Sequence, residues 1–212
     1  MSSQAGLRER KKRQTREQIF EAAQKLFREK GFERVSVAEI ARAADVSEVT
    51  VFNYFPTKED LFYGGMQFFE EQLIEAVRSR PKGEPLIKAF RRRLLADADR
   101  LALNESFDAI SLAEKIVSAS PSLRAREREI IDRYIARLAE LIAAETNAAA
   151  DDVEPLAVAA TLMTTHRALV TNVHQRVLAG QRGRHLADAF KTQVRRSFAR
   201  LERGLAGYAV RT

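Results

Sequence analysis

The sequence predicts an all-α fold of about nine helices, and three observations carry that expectation. Apolar residues recur at three- and four-residue spacing through most of the chain. Two-residue apolar alternation is absent over any useful length, which leaves no candidate sheet. Only nine Gly and five Pro interrupt the 212 residues, too few for the many turns of a β fold.

Residues 1–14 are polar and basic with no apolar period, and they read as a flexible basic arm. Thr15 and Gln18 then form a capping-box pattern, in which each side chain satisfies the other's free backbone N–H. Ile19, Ala22, Ala23, Leu26 and Phe27 give the first helix one apolar face, and Gly31 closes it. A second box, Ser36 with Glu39, starts a short helix carrying Val37, Ile40, Ala41 and Ala44. A third helix begins at Ser47 and runs to about Tyr54, because Pro56 disfavours a helical Phe55.

Thr57 and Asp60 cap a longer helix through Leu61, Phe62, Phe69, Leu73 and Val77. It ends before the breaker cluster Pro81-Lys82-Gly83-Glu84-Pro85. Five more helices follow, at about 85–103, 107–118, 121–146, 153–179 and 184–205.

Composition narrows the function. A hydrophobic fraction of 45% with 31% charged residues fits a soluble globular protein. No stretch approaches the roughly 18 apolar residues of a membrane span. The N-terminus lacks the apolar core of a signal peptide, so a cytoplasmic protein is expected. The absence of cysteine excludes disulfides, thiolate metal sites and a Cys nucleophile.

The net charge of +7 is concentrated in Arg8, Arg10, Lys11, Lys12, Arg13 and Arg16, with a second excess between Arg182 and Arg203. That balance is compatible with nucleic-acid binding and equally with a solvated basic surface. His166 and His174 stand eight apart, which is not the i, i+4 pairing of helical metal sites. No Gly-rich phosphate loop or Ser with an identifiable base appears, so no enzyme, metal or cofactor is expected.

The two short helices joined by a tight turn match a helix-turn-helix. In the second of them, Val51 and Phe55 face inward with Val46 toward Ile40 and Leu26. Glu48, Val49, Thr50, Asn53 and Tyr54 are left exposed, and Val49 and Phe52 near the surface call for a partner. An ordinary helical hairpin is the competing explanation of the geometry alone.

The run Ser36-Val-Ala-Glu-Ile-Ala-Arg-Ala-Ala-Asp-Val-Ser-Glu-Val-Thr-Val-Phe-Asn-Tyr-Phe-Pro-Thr-Lys-Glu-Asp-Leu61 resembles the DNA-binding domain of the TetR/AcrR repressor family. The preceding helix, ending Leu-Phe-x-x-x-Gly-Phe, matches as well, so the likeness covers about residues 10–62. The resemblance implies a ligand-responsive regulator of transcription, acting as a homodimer on a palindromic double-stranded operator. It divides the chain into an arm at 1–14, a helix-turn-helix domain at 15–62, a helical ligand-binding and dimerisation domain at 63–206, and a tail at 207–212.

By position, the likeness puts Ser36 at the cap beside a phosphate, and Glu48, Val49, Thr50 and Phe52 against bases or groove walls. Tyr54 and Lys58 take positions that hold the DNA backbone, and Arg13 belongs to the basic arm. Two positions depart from the pattern. Phe52 lacks the hydroxyl of the Tyr often found there, and Glu48 replaces a polar or basic residue. A carboxylate near phosphates is repelled, yet it can accept from cytosine N4.

In the family the central helices enclose an apolar cavity, for which Phe90, Phe107, Ile110, Tyr134, Met163 and His166 are the candidates here. The last two helices pair across a two-fold axis. Their apolar stripes here run through Leu162, Leu169, Val173 and Val177, and through Phe190, Val194, Phe198 and Leu201. The wording of residues 50–61, with Asp-Val-Glu-Pro-Leu-Ala-Val at 152–158, also resembles an actinobacterial branch typified by the mycofactocin regulator. That branch implies an acyl-CoA-like or other small lipophilic effector. The alternative is an effector-independent architectural DNA-binding protein, whose helical domain would be filled solid. A membrane-surface protein is disfavoured because Arg residues lie on several sides of the last helix.

Overall fold

The computed structural model describes residues 2–205. Among the described residues there are nine α-helices, one 3₁₀ turn and no strand. The helices are α1 (Ser2–Lys30), α2 (Val37–Ala43), α3 (Glu48–Tyr54), α4 (Lys58–Arg78) and α5 (Leu86–Asp97). The 3₁₀ turn (Ala98–Ala102) follows, then α6 (Asn104–Ala119), α7 (Pro121–Thr146), α8 (Glu154–Leu178) and α9 (Gly183–Leu205). The tail expected at 207–212 lies outside the described residues. No helix among the described residues is long and apolar enough to cross a membrane.

Two boundaries differ from the sequence expectation. Residues 2–14 are not an irregular arm but the first turns of α1, which runs unbroken to Lys30. Residues 7–14 read Leu-Arg-Glu-Arg-Lys-Lys-Arg-Gln, good helix formers without Pro or Gly, so propensity extends the helix where no apolar period marks it. Thr15 accordingly does not cap; its Oγ1 donates to the Lys11 carbonyl one turn back at 3.0 Å. Near the middle, the helix expected over 85–103 ends at Asp97 and tightens into the 3₁₀ turn.

The chain forms two compact units. The first contains α1–α3, the start of α4 to Phe68, and the corner Ile116–Arg126 between α6 and α7. Its core is Ile19, Ala23, Phe27, Phe32, Val35, Ile40, Val51, Phe55 and Leu61, each 3% exposed or less. Phe27, Phe32, Phe62 and Tyr63 form a chain of tilted and edge-on rings with centroids 5.1–5.9 Å apart along Phe27–Phe32, Phe32–Phe62 and Phe62–Tyr63.

The second unit holds the rest. Leu86, Ile87, Phe90 and Leu94 of α5 are buried, as are Ile130, Leu138 and Ile142 of α7. The expected stripes of α8 and α9 are buried too, through Leu162, Leu169, Val173, Val177, Phe190, Val194 and Phe198. Phe90 stacks on Phe198 at 5.9 Å, and each such ring contributes roughly 1.5–3 kcal/mol by leaving water. Arg80 is 1% exposed and pairs with Glu145, while also donating to the Val77 and Glu84 carbonyls at 2.7 and 3.0 Å.

Candidate nucleic-acid interface

The turn between α2 and α3 is built by the backbone. The Ala44 N–H reaches the Ile40 carbonyl at 2.9 Å, and the Val46 N–H reaches that of Ala41 at 3.0 Å. Asp45 supplies the left-handed residue this closure needs, at φ 52°. Ser47, in extended conformation, then caps α3 by accepting from the Thr50 N–H at 3.1 Å. The helix stops at Phe55, whose extended backbone precedes Pro56.

Two turns of helix thus carry two different faces. Val51 and Phe55 are 0% and 1% exposed and anchor α3 in the first unit's core. Glu48, Val49, Phe52 and Asn53 are exposed, and Thr50 and Tyr54 are half-buried. Val49 is 69% exposed and Phe52 46%, an apolar pair one turn apart. The Thr50 hydroxyl is shared with Ser47 Oγ at 2.8 Å. Ser36 caps α2 as expected: its Oγ accepts from the Glu39 N–H at 3.2 Å, and its own N–H donates to Glu39 at 2.9 Å. That backbone bond, with help from Lys30, holds the Glu39 carboxyl down to about 2.

Arg13 is exposed, as are Arg8, Arg10, Lys11, Lys12 and Arg16 on the same helix. Arg16 also lies 5.0 Å from the Phe55 ring, a cation–π contact that ties the basic helix to the end of α3. Lys58 is placed differently from a residue reaching outward. Its Nζ donates to the Phe32 and Val35 carbonyls at 3.1 and 3.2 Å and sits 4.2 Å from the Phe32 ring. It closes the α1–α2 loop.

Of the expected pocket residues, Phe90, Tyr134, Met163 and His166 are buried in the second unit. Phe107 and Ile110 on α6 are only half-buried, and Arg182 lies over the Phe107 ring at 4.8 Å. Burial alone pushes His166 down to about 4. Sequence reasoning missed Glu70, which is 2% exposed. The available signal was its register, since Leu73, Ile74 and Val77 follow at three, four and seven residues.

The pattern of the bacterial regulatory proteins of the tetR family matches residues 19–63, the segment that holds α2, α3 and the Ser36 and Ser47 caps. The HTH-type transcriptional regulator TcmR of Streptomyces glaucescens is 32% identical over 151 residues, 69% of this chain and 67% of that protein. The chain belongs to the tetR family.

Solved structures share the fold of this chain. SmeT in its triclosan complex superposes with a TM-score of 0.55 at 16% identity, covering 90% of each chain. NalD, the secondary repressor of the MexAB-OprM efflux pump of Pseudomonas aeruginosa, gives 0.52 at 22% identity, covering 91% of this chain and 98% of NalD. The exposed face of α3 is the candidate surface for DNA.

Proposed function

We propose that this tetR-family regulator is a homodimeric repressor that leaves a near-palindromic operator when a small lipophilic effector binds. The observation that supports it most is the outward face of α3, where Val49 and Phe52 are exposed beside Glu48, Thr50 and Asn53 on a firmly capped helix. A folded domain gains nothing by showing that pair to water, whereas a thymine methyl group offers both an apolar partner. Glu48 accepts from cytosine N4, and Thr50 and Asn53 read neighbouring edges. Arg13, Ser36 and Tyr54 serve phosphates, which position the helix without reading sequence. Lys58 serves the same end indirectly, by holding the loop from which Ser36 presents α2.

Dimerisation is assigned to α8 and α9. Between them lies a groove of about 790 Å³, lined by Ala160, Thr164, Ala168 and Asn172 of α8 and by Ser197 and Leu201 of α9. Small side chains allow a second helix pair to approach closely. The large apolar stripes, Leu169 among them, are already buried within the subunit, so the seam uses Ala and Thr with Leu201 at its side. Two recognition helices about one DNA turn apart then read an inverted repeat.

The effector is assigned to the second unit, among Phe90, Phe107, Ile110, Tyr134, Met163 and His166. SmeT, of the same fold, binds triclosan, a precedent for an apolar guest. Switching requires that the effector bind the conformation unfit for DNA more tightly than the fit one. Selection of bound fragments from random DNA tests the reading: an enriched inverted repeat is expected, bound by two chains. Candidate effectors, an acyl-CoA among them, are then titrated into the complex. A weak preference with a steep salt slope and no response to any effector would favour the architectural alternative.

A further inference from the structure

The outward faces of α8 and α9 differ in kind. On α8 a stripe at helical spacing runs from Val153 through Ala157, Ala160, Thr164 and Ala168 to Leu178, and no charged residue interrupts it. Its ends are large and apolar: Val153 is 70% exposed and Leu178 56%. Its middle forms one wall of the groove of about 790 Å³ whose other wall includes Gln193, Ser197 and Leu201 of α9. The outward face of α9 carries Arg195, Arg196 and Arg203, all exposed. Water suits those arginines and does not suit the stripe.

The two ends of α8 also differ in charge. Asp151, Asp152 and Glu154 are exposed at its start, and Arg182 and Arg184 are exposed just past its end. Arg182 is the residue that lies over the Phe107 ring. Two copies of α8 laid side by side in one direction set acid beside acid and base beside base. In opposite directions each acidic start meets a basic end, and the helix dipoles attract as well.

We propose that α8 of one subunit seats in the α8–α9 groove of its partner, antiparallel to the partner's α8, with the two-fold axis passing between Thr164 and Ala168. The register rests on the homodimer reading above and goes beyond it by naming the helix, its direction and its pairs. On α8 the groove is lined from Ala160 to Asn172, which centres it between Thr164 and Ala168. With the axis there, Thr164 faces the partner's Ala168, and small side chains at the crossing let the backbones approach closely. The exposed Val153 comes alongside the partner's Leu178, so both apolar ends are covered. A seam of α9 on α9 would instead crowd Arg196 and Arg200 against their own copies.

The chain has no cysteine, so introduced thiols are the only ones present. Val153 and Leu178 lie about 38 Å apart along one helix, too far to be linked within a subunit. The full-length double variant Val153→Cys/Leu178→Cys, oxidised or treated with a short bis-maleimide, is expected to give a covalent dimer. Each single variant is expected to stay unlinked at the same thiol concentration. Thr164→Arg, at the exposed centre, is expected to weaken self-association at least tenfold with helix content unchanged, read by light scattering and circular dichroism.

Linkage in a single variant overturns the antiparallel direction. Ala157→Cys/Gln175→Cys is the second pair, and it decides if the first does not fold. Absence of linkage in both pairs overturns the register, and so does a Thr164→Arg chain that stays as dimeric as wild type. Light scattering of the wild-type chain separates the two levels. A monomer sinks the homodimer reading itself, whereas a dimer without these links sinks the register alone.

Discussion

Arg126 of α7 grips Asp60 at the start of α4, with its Nη2 and Nε 2.7 and 3.1 Å from the same carboxylate oxygen, Oδ1. The other oxygen, Oδ2, accepts from the Thr57 N–H at 3.2 Å and the Thr57 hydroxyl at 2.8 Å. One buried carboxylate thus caps α4 and holds the α6–α7 corner. Arg126→Ala leaves that carboxylate short of a charged partner. Urea unfolding is expected to show a loss of roughly 1.5–3 kcal/mol, with Arg126→Lys recovering part of it. A change within experimental error would show that Thr57 suffices.

Lys58 offers a sharper separation of roles. Its ammonium is committed to the Phe32 and Val35 carbonyls, so Lys58→Ala is expected to lower stability by about 1–3 kcal/mol. Operator affinity then falls with little change in salt slope. A slope flattened by about one unit with stability intact would instead make Lys58 a phosphate ligand.

Arg13→Ala and Glu48→Gln should behave as opposites in binding assays. Loss of the exposed Arg13 weakens every DNA site alike and reduces the salt slope by about one unit. Glu48→Gln alters preference at a single base pair by roughly 1–3 kcal/mol and tightens non-specific binding. Equal effects across all sequences for Glu48→Gln would remove it from base reading.

Glu70 predicts a pH dependence of stability. Its folded value of about 8 lies above the ordinary 4.5, so the folded chain holds the proton more firmly than the unfolded one. Its contribution is fully present below about pH 4.5 and drains away as pH rises to about 8. Thermal melts of Glu70→Gln and wild type should therefore diverge between roughly pH 5 and pH 9. The variant gains a few kcal/mol relative to wild type at the upper end. Parallel curves would show that the carboxyl is solvated.

His166 runs in the other direction. Burial holds it neutral down to about 4, against an ordinary value of 6.5. The unfolded chain takes up the proton first, so wild type loses up to roughly 3 kcal/mol as pH falls from about 6.5 to 4. His166→Leu removes that part of the slope, and a difference curve of melting temperature against pH isolates it.

The recognition motif is legible because its causes are local. Ser36 finds Glu39, and Ser47 finds Thr50, each three residues away, and Pro56 ends α3 without help from the rest of the fold. The start of α1 is illegible to periodicity, because residues 7–14 are good helix formers that carry no apolar period. Asp60 and Arg126 stand 66 residues apart, and nothing in either neighbourhood announces the other. The stripes on α8 and α9 were visible, yet periodicity does not say which apolar face meets the subunit's own core. Val173, Val177, Val194 and Phe198 all do.

The corner Ile116–Arg126 clusters with α1–α3 although it comes fifty residues later than Phe68 by chain order, counted approximately. Tyr63 donates to the Leu123 carbonyl at 3.0 Å, and Ser120 donates to Glu33 at 2.6 Å. A fragment cut at Phe68 therefore leaves Glu33, Asp60 and Tyr63 facing water with their bonds unmade. Modularity has a seam here that a linear cut misses. Chimaeras that transplant this reading head onto a foreign sensor must carry the corner with it, or replace all three partners at once.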